Sequence, residues 1–405
     1  MNTSKISILV IVIICISFAA KAQFSLSVEY RPRTELSRGY KSLAIEDQKA
    51  SLITSQRTRL NAMFKNEYII TSLVLQDVRQ WGSQPQLVSN EDYALSVHQA
   101  WAEVLFSPQF SLKAGRQEVV YDDHRIFGNV GWAQQARSHD MAILKYEDAI
   151  KLHLGIAHNE NSDITDNIYN GPDAYKDLQF LWFNKSWENS ELSLMLLNNG
   201  VPYMNDNEQK NRYSQTIGGR YTTNIEEVKL AGNLYYQTGK QVTGLKISAF
   251  EFLVEAAFKD FVLGYEHLSG TDYNQFDKYK SFTPLYGTNH KFNGFMDYFY
   301  VGSHIGSVGL NDIYLKYKYT KDQFVFDAHL HYFGAAAEVA ADASSYLGTE
   351  LDLSGKWIVN PFTSITLGYS TMFAGDSMEI LKGGDSSVGQ HWAYLMLSVT
   401  PSFIK

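Results

Sequence analysis

Short segments in which apolar and polar residues alternate recur along nearly the whole chain, and they constrain the fold more than any other feature. In the first segment Phe24, Leu26 and Val28 share one face, and the residues between them are polar. A strand with this two-residue period offers one face to lipid and the other to water. The connections between the segments alternate between a few residues and a dozen or more, which is typical of a transmembrane β-barrel with long outer loops and both termini in the periplasm.

The fold class predicted from this pattern is all-β: a single antiparallel transmembrane β-barrel of about 18 strands, with long extracellular loops and short periplasmic turns. No run of about 18 apolar residues follows the N-terminal region, so membrane-spanning helices are not expected. The predicted strands are 24–33, 51–63, 67–80, 96–106, 110–118, 139–147, 150–159, 176–186, 191–199, 212–222, 226–238, 245–257, 259–269, 309–319, 323–333, 349–358, 363–373 and 391–400.

The N-terminus has the composition of a secretion signal. Lys5 supplies positive charge, an apolar run follows over 6–20, and Ala20-Lys21-Ala22 forms an A-x-A cleavage site. We therefore expect residues 1–22 to be a signal peptide and 23–405 to form one outer-membrane β-barrel domain. The single cysteine, Cys15, leaves with the signal, so thiol chemistry and disulfides are not expected in the mature chain.

Arginine is concentrated in the first third of the chain, and its spacing suggests where it points. Arg31 with Arg33, and Arg57 with Arg59, are two residues apart, so each pair shares one strand face. Because the opposite faces are apolar, both pairs should line the lumen. A guanidinium is permanently charged and matches a carboxylate with two hydrogen bonds, so this cluster suits an anionic sugar. The alternative is a plugged lumen, in which these arginines neutralise inward carboxylates such as Glu29, Asp77, Glu103, Glu118 and Asp312.

The long connection over 115–140 is rich in charged, aromatic and amide side chains, and we expect it to fold inward as a constriction. It contains Gly115-Arg116-Gln117, Tyr121-Asp122-Asp123-His124-Arg125-Ile126-Phe127-Gly128, Trp132, Gln134, Gln135, Arg137 and His139-Asp140. Further motifs elsewhere in the chain are Gln76-Asp77-Val78-Arg79 with Trp81-Gly82, Leu268-Ser269-Gly270-Thr271-Asp272, Phe282-Thr283-Pro284-Leu285-Tyr286-Gly287 and Asp297-Tyr298-Phe299.

With these motifs the chain resembles the alginate export porins of Gram-negative outer membranes, closest to their Bacteroidetes branch, over nearly the whole mature length. The resemblance implies an eighteen-stranded barrel with an arginine-rich pore that passes an alginate-like polyuronate or small anions by passive diffusion. It also implies which residues lie at the constriction: Arg79, Arg116, Arg125 and Arg137, together with Asp77, Asp122 and Asp123. The expected partners are outer-membrane lipid and lipopolysaccharide, an anionic saccharide cargo and the barrel assembly machinery, with no nucleic acid.

Other functions fit the sequence less well. A general porin remains an alternative, as does a surface receptor or adhesin that binds glycans through aromatic residues of the 270–308 loop. The Asp and His residues over 122–140 resemble an acid-base site only in composition, and neither a G-x-S-x-G elbow nor an H-E-x-x-H pair occurs, so an enzyme is not expected. No cofactor is expected either. His329 and His331 share a strand face but lack further ligands at a telling spacing, so no metal site is predicted.

A barrel of this kind should resist detergent until it is heated. We expect the folded protein to migrate faster on a detergent gel before boiling than after it, and to give a β-dominated circular dichroism spectrum. Recovery of the protein as a soluble periplasmic species without detergent would contradict the barrel.

Overall fold

Closed antiparallel β-structure dominates this computed structural model, which describes residues 23–86, 95–160, 169, 175–206 and 208–404. The predicted signal peptide, 1–22, lies outside the described residues. Within the described ranges eighteen long strands form the barrel. They are β1 (Gln23–Arg38), β2 (Ser51–Lys65), β3 (Ile69–Gln80), β4 (Leu95–Leu105), β5 (Phe110–Gln117), β6 (His139–Glu147), β7 (Lys151–His158), β8 (Asp177–Ser186), β9 (Ser190–Asn205), β10 (Glu208–Ile225), β11 (Val228–Lys240), β12 (Lys246–Phe258), β13 (Phe261–Leu268), β14 (Leu310–Lys321), β15 (Phe324–Gly334), β16 (Tyr346–Asn360), β17 (Thr363–Ala374) and β18 (Gln390–Val399).

Each strand pairs with its neighbours in the chain, and the last strand returns to the first. Tyr30 of β1 stands opposite Val399 of β18, so the sheet closes without a free edge. Two short strands add to the rim: Ser402–Ile404 pairs with β1, and Lys278–Tyr279 pairs with β12. The described part also contains two short α-helices, Val301–His304 and Ser377–Lys382. None of the described helices combines the length and the apolar character that a membrane crossing needs.

The predicted fold class is confirmed, and all the predicted strands occur within a few residues of their expected bounds. The main difference is at the outer end of β9 and β10. The sequence suggested a connection over 200–211, whereas the two strands continue as a paired hairpin in which Tyr203 faces Lys210. Beyond the bilayer both faces of a strand meet water, so backbone pairing continues where the apolar alternation has stopped. For the same reason β1 continues to Arg38.

Strand β15 shows how the two faces of the wall are divided. Phe326, Leu330 and Tyr332 are each about half exposed on the outer surface. His331, on the opposite face, is buried inside the barrel. An apolar outer surface on a closed barrel is the arrangement that a bilayer requires, and it follows the alternation read from the sequence.

Two long connections fold into the barrel, and we call them the first inner loop (118–138) and the second inner loop (269–309). They meet at a backbone bridge between Phe127 and Tyr286. The amide of Gly128 donates to the carbonyl of Tyr286 at 2.9 Å, and the amide of Tyr286 donates to the carbonyl of Ile126 at 3.0 Å. Around this bridge lies a hydrophobic core within the lumen, which includes Tyr121 and Phe180. The loops therefore pack against each other and against the wall inside the barrel.

Because Leu330 lies on the outer, lipid-facing side of β15, a charge placed there should destabilise the barrel more than a charge placed in an exposed loop. Leu330→Arg should lower the free energy of unfolding in lipid vesicles by about 2–4 kcal/mol, because it places a guanidinium in the hydrocarbon layer. Denaturant titration of the reconstituted protein measures the effect. The matched control is Phe276→Arg, since Phe276 is 79% exposed in the second inner loop and should tolerate the same change. Equal losses in both variants would contradict the lipid-facing assignment.

Candidate functional site

The first inner loop is attached to the barrel wall by the arginine pairs of β1 and β2. Arg31 donates from Nη1 to the carbonyl of Gly131 at 2.8 Å and from Nη2 to that of Trp132 at 3.1 Å. Arg57 is paired with Glu29 at 2.5 Å and also lies within hydrogen-bonding distance of the carbonyl of Gly131. Irregular backbone in the lumen has unpaired carbonyl groups, and charged donors satisfy them well. These two arginines therefore reach the lumen and hold the loop.

The other member of each pair also has contacts within the chain. Arg33 donates to the carbonyl of Trp132 at 2.8 Å, and its guanidinium stacks 4.0 Å from the centroid of the indole ring. Arg59 donates to Gln76 Oε1 at 2.7 Å and lies 3.6 Å from Glu118. The four arginines that were predicted to contact a cargo therefore bind mainly the first inner loop and nearby side chains of the barrel wall. Contact of these arginines with a cargo stays a prediction.

Asp122 and Asp123 attach the first inner loop to the opposite wall. Asp122 accepts hydrogen bonds from Ser193 of β9 and from the indole of Trp182 of β8, the latter at 3.1 Å. Asp123 pairs with Arg220 of β10 at 2.7 Å. Burial raises the pKa of Asp122, and the hydrogen bonds from Ser193 and Trp182 oppose that rise. Both aspartates therefore hold the loop across the lumen, and their place at a constriction stays a prediction.

Arg125 connects the two inner loops to the wall and is almost completely buried. Its guanidinium lies 2.6 Å from Glu266 of β13, donates to Asn293 of the second inner loop at 3.2 Å, and stacks on the Phe292 ring. A buried ion pair loses 3–5 kcal/mol or so when one partner is removed, because the other charge is left unpaired. Arg125 thus ties the first inner loop to β13 and to the second inner loop through Nη2, while its Nε and Nη1 have no hydrogen-bond partner.

The side chains of Asp77 and Arg79 do not reach the first inner loop, so the prediction that places them at the constriction is wrong; Arg79 borders a cavity only at the outer end of β3. Gln76 points inward, where its amide donates to the carbonyl of Gln135 in the first inner loop. Side chains alternate along a strand, so Asp77 and Arg79 lie on the outer face of β3. There they pair with each other at 2.7 Å. The family resemblance pointed to these two residues, but it did not determine which face of β3 they occupy.

Arg116 requires the same correction. Gln117 is buried inside the barrel at the end of β5, so Arg116 before it faces outward. Its guanidinium lies 2.9 Å from Asp140 of β6 on that outer surface. Arg116 belongs to strand β5 and not to the loop that follows it. The alternation of side chains along the strand therefore decides which way Arg116 points.

The loops leave two cavities open at the extracellular ends of the strands. The first, which we call the aromatic vestibule, has a volume of about 540 Å³ and is lined by Arg137, Lys240, Tyr175, Tyr279 and Tyr286 among others. Arg137 donates to the carbonyl of Gly287 at 3.1 Å, which fixes its guanidinium in the wall of this cavity. Among the described lining residues of the aromatic vestibule there is no aspartate or glutamate. Its formal charge is therefore positive.

The second cavity, the polar vestibule, measures about 410 Å³ and has charges of both signs, from Arg33, Lys41 and Asp297 among others. Asp297 of the second inner loop accepts hydrogen bonds from Tyr40 and from His290, the latter at 2.8 Å. Burial by itself would raise the pKa of Asp297, but His290 and Tyr40 stabilise the carboxylate and bring its pKa below the ordinary value. The carboxylate therefore remains charged and holds the outer loop over 39–50 to the second inner loop.

The inward course of the second inner loop was missed in the sequence. Its aromatic residues suggested a surface that binds glycans, yet Phe282, Tyr286 and Phe292 are buried in the lumen. Tyr273 and Phe276 remain exposed. A loop rich in aromatic residues can either pack inside the barrel or lie exposed at its surface. The local sequence does not show which of the two occurs.

Comparison with known structures supports the same architecture. The chain is similar to OccK9 (OpdG) of Pseudomonas aeruginosa, with a TM-score of 0.61 and 13% identity over 94% of this chain and 98% of that one. It is also similar to OccAB1 of Acinetobacter baumannii, at 0.61 and 10% over 94% and 97%, and to P. aeruginosa OpdK crystallised with vanillate, at 0.56 and 11% over 93% and 99%. No family model matches the chain, and no curated protein matches its sequence.

At identities this low the similarity shows the fold alone. The chain has the fold of these outer-membrane porins, a closed barrel with an apolar outer surface of the kind that a bilayer requires. These comparisons support a porin without supporting the alginate export family in particular.

The contacts of Arg31 predict that this residue controls how tightly the first inner loop is held. Arg31→Ala removes charge-assisted hydrogen bonds to the loop worth about 1.5–3 kcal/mol each, so segment 131–134 should loosen. Single-channel recording should show a higher conductance and larger current fluctuations than in the wild type. Arg116→Ala is the control, because it removes the same charge from the outer surface. If both variants conduct alike, Arg31 does not hold the constriction.

Proposed function

We propose that the chain is a passive outer-membrane channel for small organic anions, with short uronate saccharides as the first candidates for its cargo. The observation that carries this proposal is the aromatic vestibule, whose described lining has two cationic side chains and no carboxylate. A cation in a cleft with low-dielectric walls attracts anions and raises their local concentration. The volume of about 540 Å³ lies in the range of sites that hold small ligands.

The two cations of the aromatic vestibule have complementary roles. Arg137 lies where the two inner loops meet and is held there through Gly287, so its remaining donors have a defined orientation. Lys240, at the outer end of β11, is exposed and can meet an anion as it enters. An anion would thus pass from a mobile ammonium to a fixed guanidinium that can bind a carboxylate with two hydrogen bonds.

The aromatic side chains of the vestibule favour a cargo that contains a ring. Tyr279 and Tyr286 present apolar rings with a polar hydroxyl group, a combination that suits the faces of sugars and of aromatic acids. OpdK, which has the same fold, was crystallised with vanillate, a small aromatic carboxylate. That structure supports a ring-containing anion for this chain by analogy of fold.

The two inner loops favour a small cargo over a long polymer. They are bridged at Phe127 and Tyr286 and surrounded by a hydrophobic core, so the space left in the lumen is divided. The resemblance to alginate export porins makes uronates the natural candidates among anionic sugars. Within this proposal the cargo is a short uronate oligomer and not the long polyuronate that the sequence suggested.

Charge replacement in the aromatic vestibule tests this proposal. In planar bilayers under a salt gradient, the wild-type protein should have an anion-selective reversal potential, and glucuronate or vanillate should block its current. Arg137→Gln combined with Lys240→Gln should reduce the selectivity and weaken the block by about tenfold or more, since charged hydrogen bonds worth 1.5–3 kcal/mol are lost.

The control is Arg116→Gln combined with Lys278→Gln, which changes the net charge by the same amount at two positions that do not line the aromatic vestibule. Its selectivity and block should match the wild type at the same ionic strength. Cation selectivity in the wild-type protein would contradict the proposal. Absence of current would indicate the plugged barrel that the sequence left open.

A further inference from the structure

Two histidines and an aspartate meet on the lumenal face of neighbouring strands, away from both vestibules. His329 and His331 lie on β15, and Asp352 lies directly opposite His329 in the ladder with β16. One ligand atom from each of the three side chains lies within 4.8 Å of the other two. Among the described residues this is the cluster that could hold a metal ion. The sequence showed the two histidines, and the strand register supplies the third ligand.

Two buried polar atoms of this cluster have no hydrogen-bond partner. Asp352 is 1% exposed, and its Oδ2 accepts a hydrogen bond from the amide of Phe295 at 3.3 Å. Ser370 of β17 lies opposite Asp352, but its hydroxyl does not reach Oδ1 in hydrogen-bonding geometry, so Oδ1 has no partner. The buried Nδ1 of His329 is likewise without a partner. Leaving such groups unsatisfied costs free energy, so native proteins normally supply a partner. The two unsatisfied atoms belong to side chains that face each other.

The surroundings of His331 are those of a metal-binding histidine. Its Nδ1 lies 2.9 Å from Asp312 Oδ1, and Asp312 in turn accepts a hydrogen bond from Asn293 at 3.1 Å. A carboxylate behind an imidazole fixes its orientation and tautomer, and leaves the other ring nitrogen for a ligand. The Asp312 contact therefore presents His331 Nε2 to the lumen.

The charge around the cluster favours a cation. Glu350 pairs with His331 across the ladder, is fully buried, and has an unpartnered Oε2. Asp312 and Asp352 are buried too. The positively charged group that faces them is Lys316, opposite His329 on β14, and its ammonium lies over the Tyr314 ring at 4.2 Å. Lys318, two residues further along, is exposed toward Asp327. The buried carboxylates thus outnumber the cations beside them.

We propose that His329, His331 and Asp352 bind a divalent transition metal of the Zn²⁺ class, with Glu350 or water as a further ligand. Two imidazoles and a carboxylate are a common ligand set for Zn²⁺. Metal–ligand distances of about 2.0–2.2 Å require the three side chains to draw together by roughly 1 Å. His329 is half-buried and borders the lumen, so an ion can enter. Because Asp352 also holds Phe295, a bound ion joins the barrel wall to the second inner loop.

Direct metal binding tests the proposal. The purified protein, carrying an affinity tag without histidines, is stripped with a chelator in detergent and titrated calorimetrically with Zn²⁺. We expect one Zn²⁺ per barrel, and Co²⁺ in its place should give the visible absorption of a site with nitrogen ligands. His329→Ala and Asp352→Asn should each weaken Zn²⁺ binding by about tenfold or more.

The matched control is His391→Ala, because His391 contacts Tyr369 outside the cluster. It should leave Zn²⁺ binding unchanged. Heat-modifiable migration establishes that each variant is folded, and if Asp352→Asn fails to fold, His329→Ala and the Co²⁺ spectrum still decide. The proposal is overturned if the wild type binds no stoichiometric Zn²⁺, or if His329→Ala and the folded Asp352→Asn variant each bind it as tightly as the wild type. Anion selectivity is measured separately, so either proposal can fail alone.

Discussion

The pairing of β1 with β18 is the contact on which the rest of the structure depends. A backbone in lipid finds no water to satisfy its polar groups, so a sheet can span the membrane only when its first and last strands meet. In this chain Tyr30 stands opposite Val399, and the sheet has no free edge. Closure then fixes one apolar face outward and one polar face inward for every strand. It also creates a lumen, into which the long connections can fold.

The inward arginines illustrate a conflict between holding a constriction and binding a cargo. A loop inside a barrel has irregular backbone, and its carbonyl groups need donors. Arg31 and Arg33 supply them at Gly131 and Trp132, so their charge is largely satisfied within the chain. Arg137 lies beside the aromatic vestibule with one such contact. Position in the fold, more than the presence of a guanidinium, separates residues that support the constriction from those suited to a passing anion.

The second inner loop links the features that bear on function. It forms one side of the aromatic vestibule through Tyr279 and Tyr286, and it reaches the carboxylates of the far wall through Asn293 and Phe295. The wall therefore has two electrostatic regions, one cationic near β11 and one rich in carboxylates along β13 to β16. An anion and a metal ion would meet different sides of the same loop.

The sequence by itself determined the fold class, the strands and the faces of regular segments, because a two-residue period is a local property and a membrane barrel leaves few alternatives. It also indicated that 115–140 folds inward. The prediction that Asp77, Arg79 and Arg116 lie at the constriction was wrong. These residues lie near the ends of strands, where the local pattern does not show which face of the strand points inward. Only the tertiary structure brought Asp352 opposite His329, turned Phe282, Tyr286 and Phe292 inward and directed the arginines to a distant loop. These contacts join residues far apart in the chain, and strand register and loop packing decide them.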